Sequence, residues 1–521
     1  MEERSSVLIA GGSLTGLSTA VFLARRGVDS VLVERHPGTS IHPRFRAMSP
    51  RTMELYSRAG LAEALDAITE PAAGSMAWGD ALSDADLQLA GHSMLMLDTK
   101  GPQPSPAGLR AADQDRFEPV LHAHAEALGA DLRFGTELTA FDQDDEGVTA
   151  TILDRGTGRT SRLRARYLVG ADGPRSTVRE GLGIAMTGGS FSRRMSIVFR
   201  ADLSEALAGR ELIGCFFPKK AAFLSRRDSG RWQLTVPFYP ERGESAADFT
   251  TERCVELIRD LTGLPGLEPA VVSMLPWDDA EALADTFGIG RVFLAGDAAH
   301  TTGPWTGTAG NIGVQDADDL AWKLDAVLDG RAGEGLLETY SAERRPVAEA
   351  FVSLSTRRRA AQLTSMAATL ADGLPLESLS FLYGCHDYPE PGRAVTLVNP
   401  YNYVGRPGLR APYVVLERNG EEISTLDLFG NRWVLLAGPD GEGWCEAARA
   451  CVDGLGIALD VYRVGGELGD PAGRWTAAYG VAPDGAVIVR PDGFIGWSAP
   501  AVEPAEDVVG DALLRLCART E

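Results

Sequence analysis

The chain has 521 residues, 44% hydrophobic and 23% charged, with a formal net charge of −22. That length exceeds what one hydrophobic core supports and implies two or three domains. The acidity argues against a phosphate backbone or an acidic membrane surface as partner, since like charges repel.

The first residues, "MEERSSVLIAGG", do not read as a signal peptide, because the apolar run is short and enters a glycine turn. No apolar stretch reaches the roughly 18 residues of a membrane helix. Cys215, Cys254, Cys385, Cys445, Cys451 and Cys517 are scattered without a C-x-x-C pair. That pattern suits a reducing, cytoplasmic setting and offers no metal site.

Val7 to Ala10 reads as a strand, followed by the turn "GGSLTG" and the helical stretch "LSTAVFLARRG". Leu17, Val21, Leu23 and Ala24 share one side of that helix, and Gly27 ends it. A second strand, "SVLVER", closes on Glu34. Strand, turn, helix and strand in this order are the context of the dinucleotide fingerprint G-x-G-x-x-G. Gly11 and Gly16 fill its outer positions, and Ser13 stands where the middle glycine is usual. Glu34 follows Gly11 by 23 residues, close to the spacing of about 20 at which a carboxylate binds a ribose hydroxyl. A purely structural strand–turn–helix unit is the competing reading.

Further on, "YLVGADGPRSTVR" predicts a strand running into Asp172–Gly173 and a helix from Arg175 or Ser176. Alone it is ordinary Asp-Gly turn chemistry. The stretches "RRMSIVFRADL", "LIGCFFPKKAAFLSRR" and "RWQLTVPFYPERG" alternate as strands do. Their aromatics, with Trp277, are candidates for a pocket wall or for core. Next, the strand Val292 to Ala295 delivers Gly296–Asp297, a glycine-rich loop runs to Gly313, and a helix follows. A carboxylate beside such a loop can bind a sugar-alcohol chain, with the loop amides facing whatever lies beyond. His300 has no metal-ligand partner at helical spacing and reads as a loop or capping residue. Residues 375–409, rich in Pro, Gly and Tyr, read as a linker. After them come strand, helix, strand and a Pro-Asp-Gly hairpin.

Three stretches, "GGSLTG…VER", "GADGPRSTVR" and "GRVFLAGDAAH…GPWTGTAGNIGVQDADDLAWKL", stand in an order that resembles the group A FAD-dependent aromatic hydroxylases of para-hydroxybenzoate hydroxylase fold. Within them the chain is similar to the aromatic polyketide hydroxylase branch, where the first motif often reads Gly-Gly-Ser. The resemblance spans nearly the whole chain. It implies an α/β protein: a Rossmann-like FAD domain with a mixed sheet from residues 1–181 and 286–374, and an inserted antiparallel-sheet substrate domain over 182–285. The linker 375–409 then leads to a thioredoxin-like domain over 410–521. That last domain lacks C-x-x-C, so it is expected to be a scaffold or a homodimer contact without redox chemistry.

The resemblance also implies the cofactor contacts. Gly11, Ser13, Leu14, Thr15 and Gly16 would bind FAD at the first turn, with Glu34 at the ribose and Arg35 among the cofactor contacts. Arg44 and Arg46, in "HPRFRAMSPRTMELYSRAGL", would face the flavin or the nicotinamide. Gln114, in the Gln-x-x-x-Glu helix "QDRFE", would lie near the diphosphate. Asp172, Gly296, Asp297, Pro304, Gly307, Gly310, Asn311 and Ile312 complete the set. Phe216, Phe223, Trp232, Phe238, Trp277 and Trp305 are the substrate candidates, and Arg344, Arg345 and Pro346 are read as structural. The loop departs from the family's Pro-Pro-x-Gly-Gly-x-Gly, reading "GPWTGTAGN", and Trp305 bears on flavin mobility or substrate access.

The implied reaction is hydroxylation of a polycyclic phenol through a flavin hydroperoxide, consuming NADPH or NADH and molecular oxygen. The nicotinamide would bind transiently, because no second fingerprint is present. Baeyer–Villiger insertion, epoxidation or oxidative rearrangement is the alternative. No motif names a catalytic base.

Overall fold

The computed structural model describes residues 3–71, 74–89, 103–306, 309–364, 376–389, 393–499 and 505–519. Its first sheet has five parallel strands in the order Val292–Leu294, Thr160–Gly170, Glu3–Ala10, Ser30–Glu34 and Asp131–Phe134. Val7, Leu8 and Ile9 are all fully buried. An unbroken apolar run suits a parallel strand covered on both faces. The strands end level: Ala10 pairs with Gly170 and Val33, and Gly170 pairs with Leu294. The turns that follow them therefore emerge at one edge of the sheet, where open α/β sheets bind ligands.

Helix Leu14–Arg25 crosses helix Ala309–Leu328 above that edge. The second helix begins earlier than the expected loop end at Gly313. Gly310 and Gly313 are thus helical, and they serve close packing. A Cβ at Gly310 would lie 2.7 Å from Leu14 Cδ2, and one at Gly313 would lie 2.5 Å from Thr15 Oγ1.

The second sheet runs His300–Thr301, Ala270–Ala284, Met186–Arg200, Arg231–Phe238, Ala222–Arg226, Leu212–Phe217, Ser75–Trp78, Gln88–Leu89. All neighbours are antiparallel except Leu212–Phe217 with Ser75–Trp78. It extends past residues 182–285 at both edges, through strands too short to announce themselves by alternation. Helix Thr251–Thr262 packs on one face, burying Ile258 and Leu261 against Trp232, Leu234, Val236 and Phe238.

A third sheet orders Leu459–Arg463, Trp433–Ala437, Ala486–Val489 and Ile495–Ala499, and the helices Glu442–Leu455 and Glu506–Leu516 pack on each other beside it. The first pair is parallel, the rest antiparallel. All six cysteines are free and buried, and burial pushes the Cys445 thiol up to about 11.

The 375–409 stretch is not loop-like over its described residues. It holds helix Leu376–Tyr383, and Phe381, Leu382, Tyr383, Cys385 and His386 are buried. Next to it, buried Arg410 donates to both oxygens of Glu54, at 2.5 and 2.6 Å, across 356 positions of sequence. Proline and glycine there shape a packed crossing between two regions. No helix among the described residues is long and apolar enough to cross a membrane.

Candidate cofactor site

Three turns leave the parallel sheet side by side. Gly11 sits at φ +105°, and a Cβ there would lie 2.3 Å from Ala171 O and 2.9 Å from Asp172 Cα. The backbone of the first turn thus lies directly on that of the second, and only glycine permits it. Thr15 of the first turn packs on Gly296 of the third and on Gly313. Gly11, Asp172 and the Gly296–Asp297 pair, separated by more than 100 residues at each step, are brought together.

The first helix opens with free donors. Ser13 occupies its N-cap position without a side-chain cap bond, and no acidic residue stands in the first turn. Its leading amides are unpaired by geometry and carry the positive end of the helix dipole, an anion-binding arrangement. The Ser13 hydroxyl is not aimed at that anion position. It donates to Glu118 Oε1 at 2.6 Å and accepts from Gln114 Nε2 at 3.0 Å.

Gln114 is likewise occupied. Its Nε2 also donates to Glu118, at 2.6 Å, and its Oε1 accepts from Phe45 N at 3.0 Å. Glu118 Oε2 accepts from Ser40 N at 2.7 Å. Glu118, the last residue of the Gln-x-x-x-Glu stretch, is therefore the centre that ties the glycine turn to residues 40–45.

Glu34 is set by Gly12 N and His36 N, at 2.7 and 2.8 Å; Arg35, next to it, is exposed. Arg44 is exposed, and its charge acts on Asp297. Arg46 differs from expectation. Its guanidinium binds Asp113, Asp228 and Glu70, so its charge is spent joining residues near the first sheet to the Asp228 turn of the second. Asp113 and Asp228 each accept the other's backbone N–H at 2.8 Å.

Two aspartates follow the strand ends, Asp172 half-buried and Asp297 exposed. Asp172 Oδ2 accepts from Val178 N at 3.1 Å, while Oδ1 is buried without a partner. Burial pushes its carboxyl pKa up. The Asp297 carboxyl pKa is raised as well, through desolvation by the atoms packed around it.

Behind the third turn lies a buried ion cluster. Asp316, fully buried, accepts from Arg344 Nε at 2.8 Å and from Gly296 N at 3.1 Å, and pairs with His300 Nε2 at 2.7 Å. The Arg344 guanidinium holds the Asp316 carboxyl below its usual range despite its burial. His300 is thus a buried partner of Asp316, stacked on Phe287.

At the start of helix Ala309–Leu328, Asn311 uses its side chain on Ser49 N, Thr52 Oγ1 and Ala47 O. The Ile312 side chain is in the core with Phe351 and Leu354. Only their backbones can face a ligand. Pro304 is exposed; the Trp305 side chain and Gly307 lie outside the described residues.

On the second sheet, alternation divides the aromatic candidates. Trp232 and Phe238 point to helix Thr251–Thr262 and are core, which corrects their assignment to a pocket. Phe216 and Phe223 face the other way and cluster with Met76 and Trp78, a contact invisible without the recruited strand. Trp277 shares that face, donating its indole N–H to Ser196 Oγ at 2.9 Å.

An FAD binding domain family matches residues 4–355, and an aromatic-ring hydroxylase C-terminal family matches residues 404–520. A putative polyketide hydroxylase of Streptomyces halstedii is 40% identical over 530 residues, covering 97% of this chain and 95% of that one. The tetracenomycin A2 monooxygenase-dioxygenase of Streptomyces glaucescens is 40% identical over 560 residues, covering 99% and 98%. A crystal structure of aklavinone-11 hydroxylase with FAD and aklavinone superimposes with a TM-score of 0.89 at 37% identity, covering 100% of both chains.

Proposed function

The chain belongs to the FAD-dependent aromatic-ring hydroxylases, a family of monooxygenases, and from that premise we propose that it hydroxylates a polycyclic, polyketide-type phenol at the expense of NADH or NADPH. The observation that carries the cofactor assignment is the level emergence of the Gly11, Asp172 and Gly296–Asp297 turns beside an uncapped helix N-terminus.

The residues fit FAD along its length. The unpaired amides of Leu14, Thr15 and Gly16 take the diphosphate, and Glu34, fixed by two backbone donors, takes the ribose. The Asp172 oxygen without a partner and the exposed Asp297 offer acceptors to the hydroxyls of the connecting chain. The first amides of helix Ala309–Leu328 would stabilise negative charge on the bound flavin. When bound, FAD would supply the redox chemistry between the nicotinamide and molecular oxygen. The sheet surface of Phe216, Phe223 and Trp78 offers an apolar wall suited to stacking a fused ring.

The purified protein is expected to be yellow and to consume NADH or NADPH faster when a polycyclic phenol is added. Under labelled oxygen the product should gain one labelled atom on an intact ring. A lactone or a rearranged skeleton would replace hydroxylation by the insertion reading. A colourless protein that refuses FAD would remove the cofactor assignment altogether.

A further inference from the structure

A pocket of about 280 Å³ lies where helices Leu14–Arg25 and Pro50–Arg58 end against residues 427–431 of the C-terminal region. Phe22, Leu55 and Phe429 form its apolar side, and Arg25, Arg26 and Arg58 bring its positive charge. Arg25 and Asn431 are exposed at its mouth, so it opens to solvent. Helix Leu14–Arg25 has its first amides at the proposed diphosphate position and its last residue here, 12 residues on. That length is about 18 Å, so the pocket is separate from the cofactor site.

Guanidiniums crowd together there. The Gly430 carbonyl accepts from Arg26 Nη2 at 2.7 Å, and a Cβ at Gly430 would lie 3.4 Å from Arg58 Cδ. A Cβ at Gly493 would lie 3.7 Å from Arg58 Nη1 and 3.9 Å from Arg51 Nη1. The neighbouring carboxylates are committed elsewhere. Asp325 is 3.9 Å from Arg26 but 2.8 Å from Arg331, and Glu54 is 3.3 Å from Arg51 but 2.5 Å from Arg410. Asp427 Oδ2 accepts from Ser424 N and Oγ, both at 2.7 Å. Asp318 is left for Arg58, at 3.3 Å. Burial outweighs these counter-charges: it lowers Arg26 and pushes Arg58 down to about 10, with repulsion from Arg51 and Arg26 adding to the effect on Arg58. Basic side chains at helix ends can serve as caps. Here backbone closes both ends: Gly27 N and Val28 N donate to Ala24 O and Leu23 O, and Gly60 N and Leu61 N to Ser57 O and Tyr56 O.

We propose that this pocket is a second ligand site, taking a phosphate-class oxyanion on Arg25, Arg26 and Arg58 where the FAD binding domain meets the C-terminal region. Guanidinium forks bind phosphate oxygens in pairs, and the anion supplies the charge that the committed carboxylates do not. Small-molecule pockets begin at about 300 Å³, so this one has room beyond the anion for a small organic group against Phe22 and Phe429. Free phosphate and the phosphoryl group of a monoester share this chemistry. The bound anion joins the two helix ends to residues 427–431 and so clamps the two regions together.

The test is calorimetric titration of the FAD-loaded protein with inorganic phosphate and with phenyl phosphate, at an ionic strength held constant with potassium chloride. One saturable site is expected. The thermal midpoint should rise with phosphate and not with chloride, because general screening does not tell the two salts apart while specific binding to the folded state does. Tighter binding of phenyl phosphate identifies an ester as the ligand, and binding no tighter than phosphate identifies the free ion. Arg58→Gln should weaken binding at least tenfold, as loss of a charged donor does. Arg25→Gln, at the exposed mouth, should weaken it about threefold, the scale of an exposed charge pair. Both variants should keep native FAD content and flavin absorbance, since neither side chain belongs to the cofactor site. If Arg58→Gln does not fold, Arg25→Gln and the native protein decide. A native protein without saturable phosphate binding, or a folded variant that binds as the native one does, overturns the inference. None of these results bears on the hydroxylase reading, which the flavin and product assays test separately.

Discussion

Arg344→Met probes the ion cluster that supports the third turn. The guanidinium is 1% exposed and bonds the fully buried Asp316 at 2.8 Å. Methionine keeps much of the volume and removes the charge, leaving a buried carboxylate without its main counter-ion. Removing one partner of such a pair costs about 3–5 kcal/mol. His300 and Gly296 N remain within bonding distance of Asp316, so the lower end, about 3 kcal/mol, is expected. The sign with pH follows from Asp316, whose folded pKa lies below its ordinary 3.8. Its stabilisation is full above the unfolded value and is lost as pH falls through the folded one. The gap between native and variant protein should therefore be widest near neutrality and narrow under acid. Because Asp316 also anchors Gly296 N, next to Asp297, FAD affinity should fall about tenfold as that turn loosens. Urea midpoints of the FAD-free protein and FAD titrations measure both effects. Adding Asp316→Asn should recover stability, since the amide needs no cation. A single variant within about 0.5 kcal/mol of native, the range of surface substitutions, would refute the reasoning; so would a double variant no more stable than Arg344→Met.

Ser13→Ala removes one donor to Glu118 but none of the helix amides, so apo stability should drop by about 1 kcal/mol and FAD affinity by less than tenfold; a larger affinity loss by titration would place the hydroxyl on the diphosphate itself. Asp297→Asn should weaken FAD binding about tenfold, because a neutral amide oxygen is a weaker acceptor than a carboxylate for the cofactor's hydroxyls. The same change should raise the melting temperature of the FAD-free protein at neutral pH. A carboxylate with a raised folded pKa disfavours the fold once ionised, so that gain should vanish below the ordinary carboxylate range. Arg410→Met leaves Glu54 buried and short of its bidentate partner; a loss of about 3–5 kcal/mol is expected by urea unfolding, and a loss under about 1 kcal/mol would make the crossing segment a passive one.

Legibility along the chain followed the range of the forces involved. The strand–turn–helix units could be read because their signals are local: an apolar run, a glycine forced to positive φ, a small residue at a helix start. Gly11 and Asp172 could be placed in one site only because several such signals occur in a known order; nothing in either stretch states that Ala171 O will lie where a Gly11 side chain would be. Side-chain engagement was less readable. Arg46 looks like a cofactor-facing cation in sequence, but the Asp228 that captures it stands 182 positions away. Trp232 and Phe238 looked like pocket aromatics because composition carries no face; register and the helix Thr251–Thr262 decide it.

Ser13 shows how a departure from a motif can be absorbed. The middle glycine of a dinucleotide turn lets the backbone approach a diphosphate, and a side chain there must go elsewhere. Here it goes to Glu118, which also binds Gln114 and Ser40 N. The serine and the Gln-x-x-x-Glu helix are therefore one device, coupled across 105 positions. A prediction separates this from coincidence. Glu118→Gln should lower FAD affinity in the Ser13 protein and matter much less when Ser13 is glycine, so the two changes should be non-additive in FAD titrations by about 0.5–3 kcal/mol. Strict additivity would mean that the hydroxyl and the helix serve the turn independently, and that Ser13 is tolerated at this position without being used.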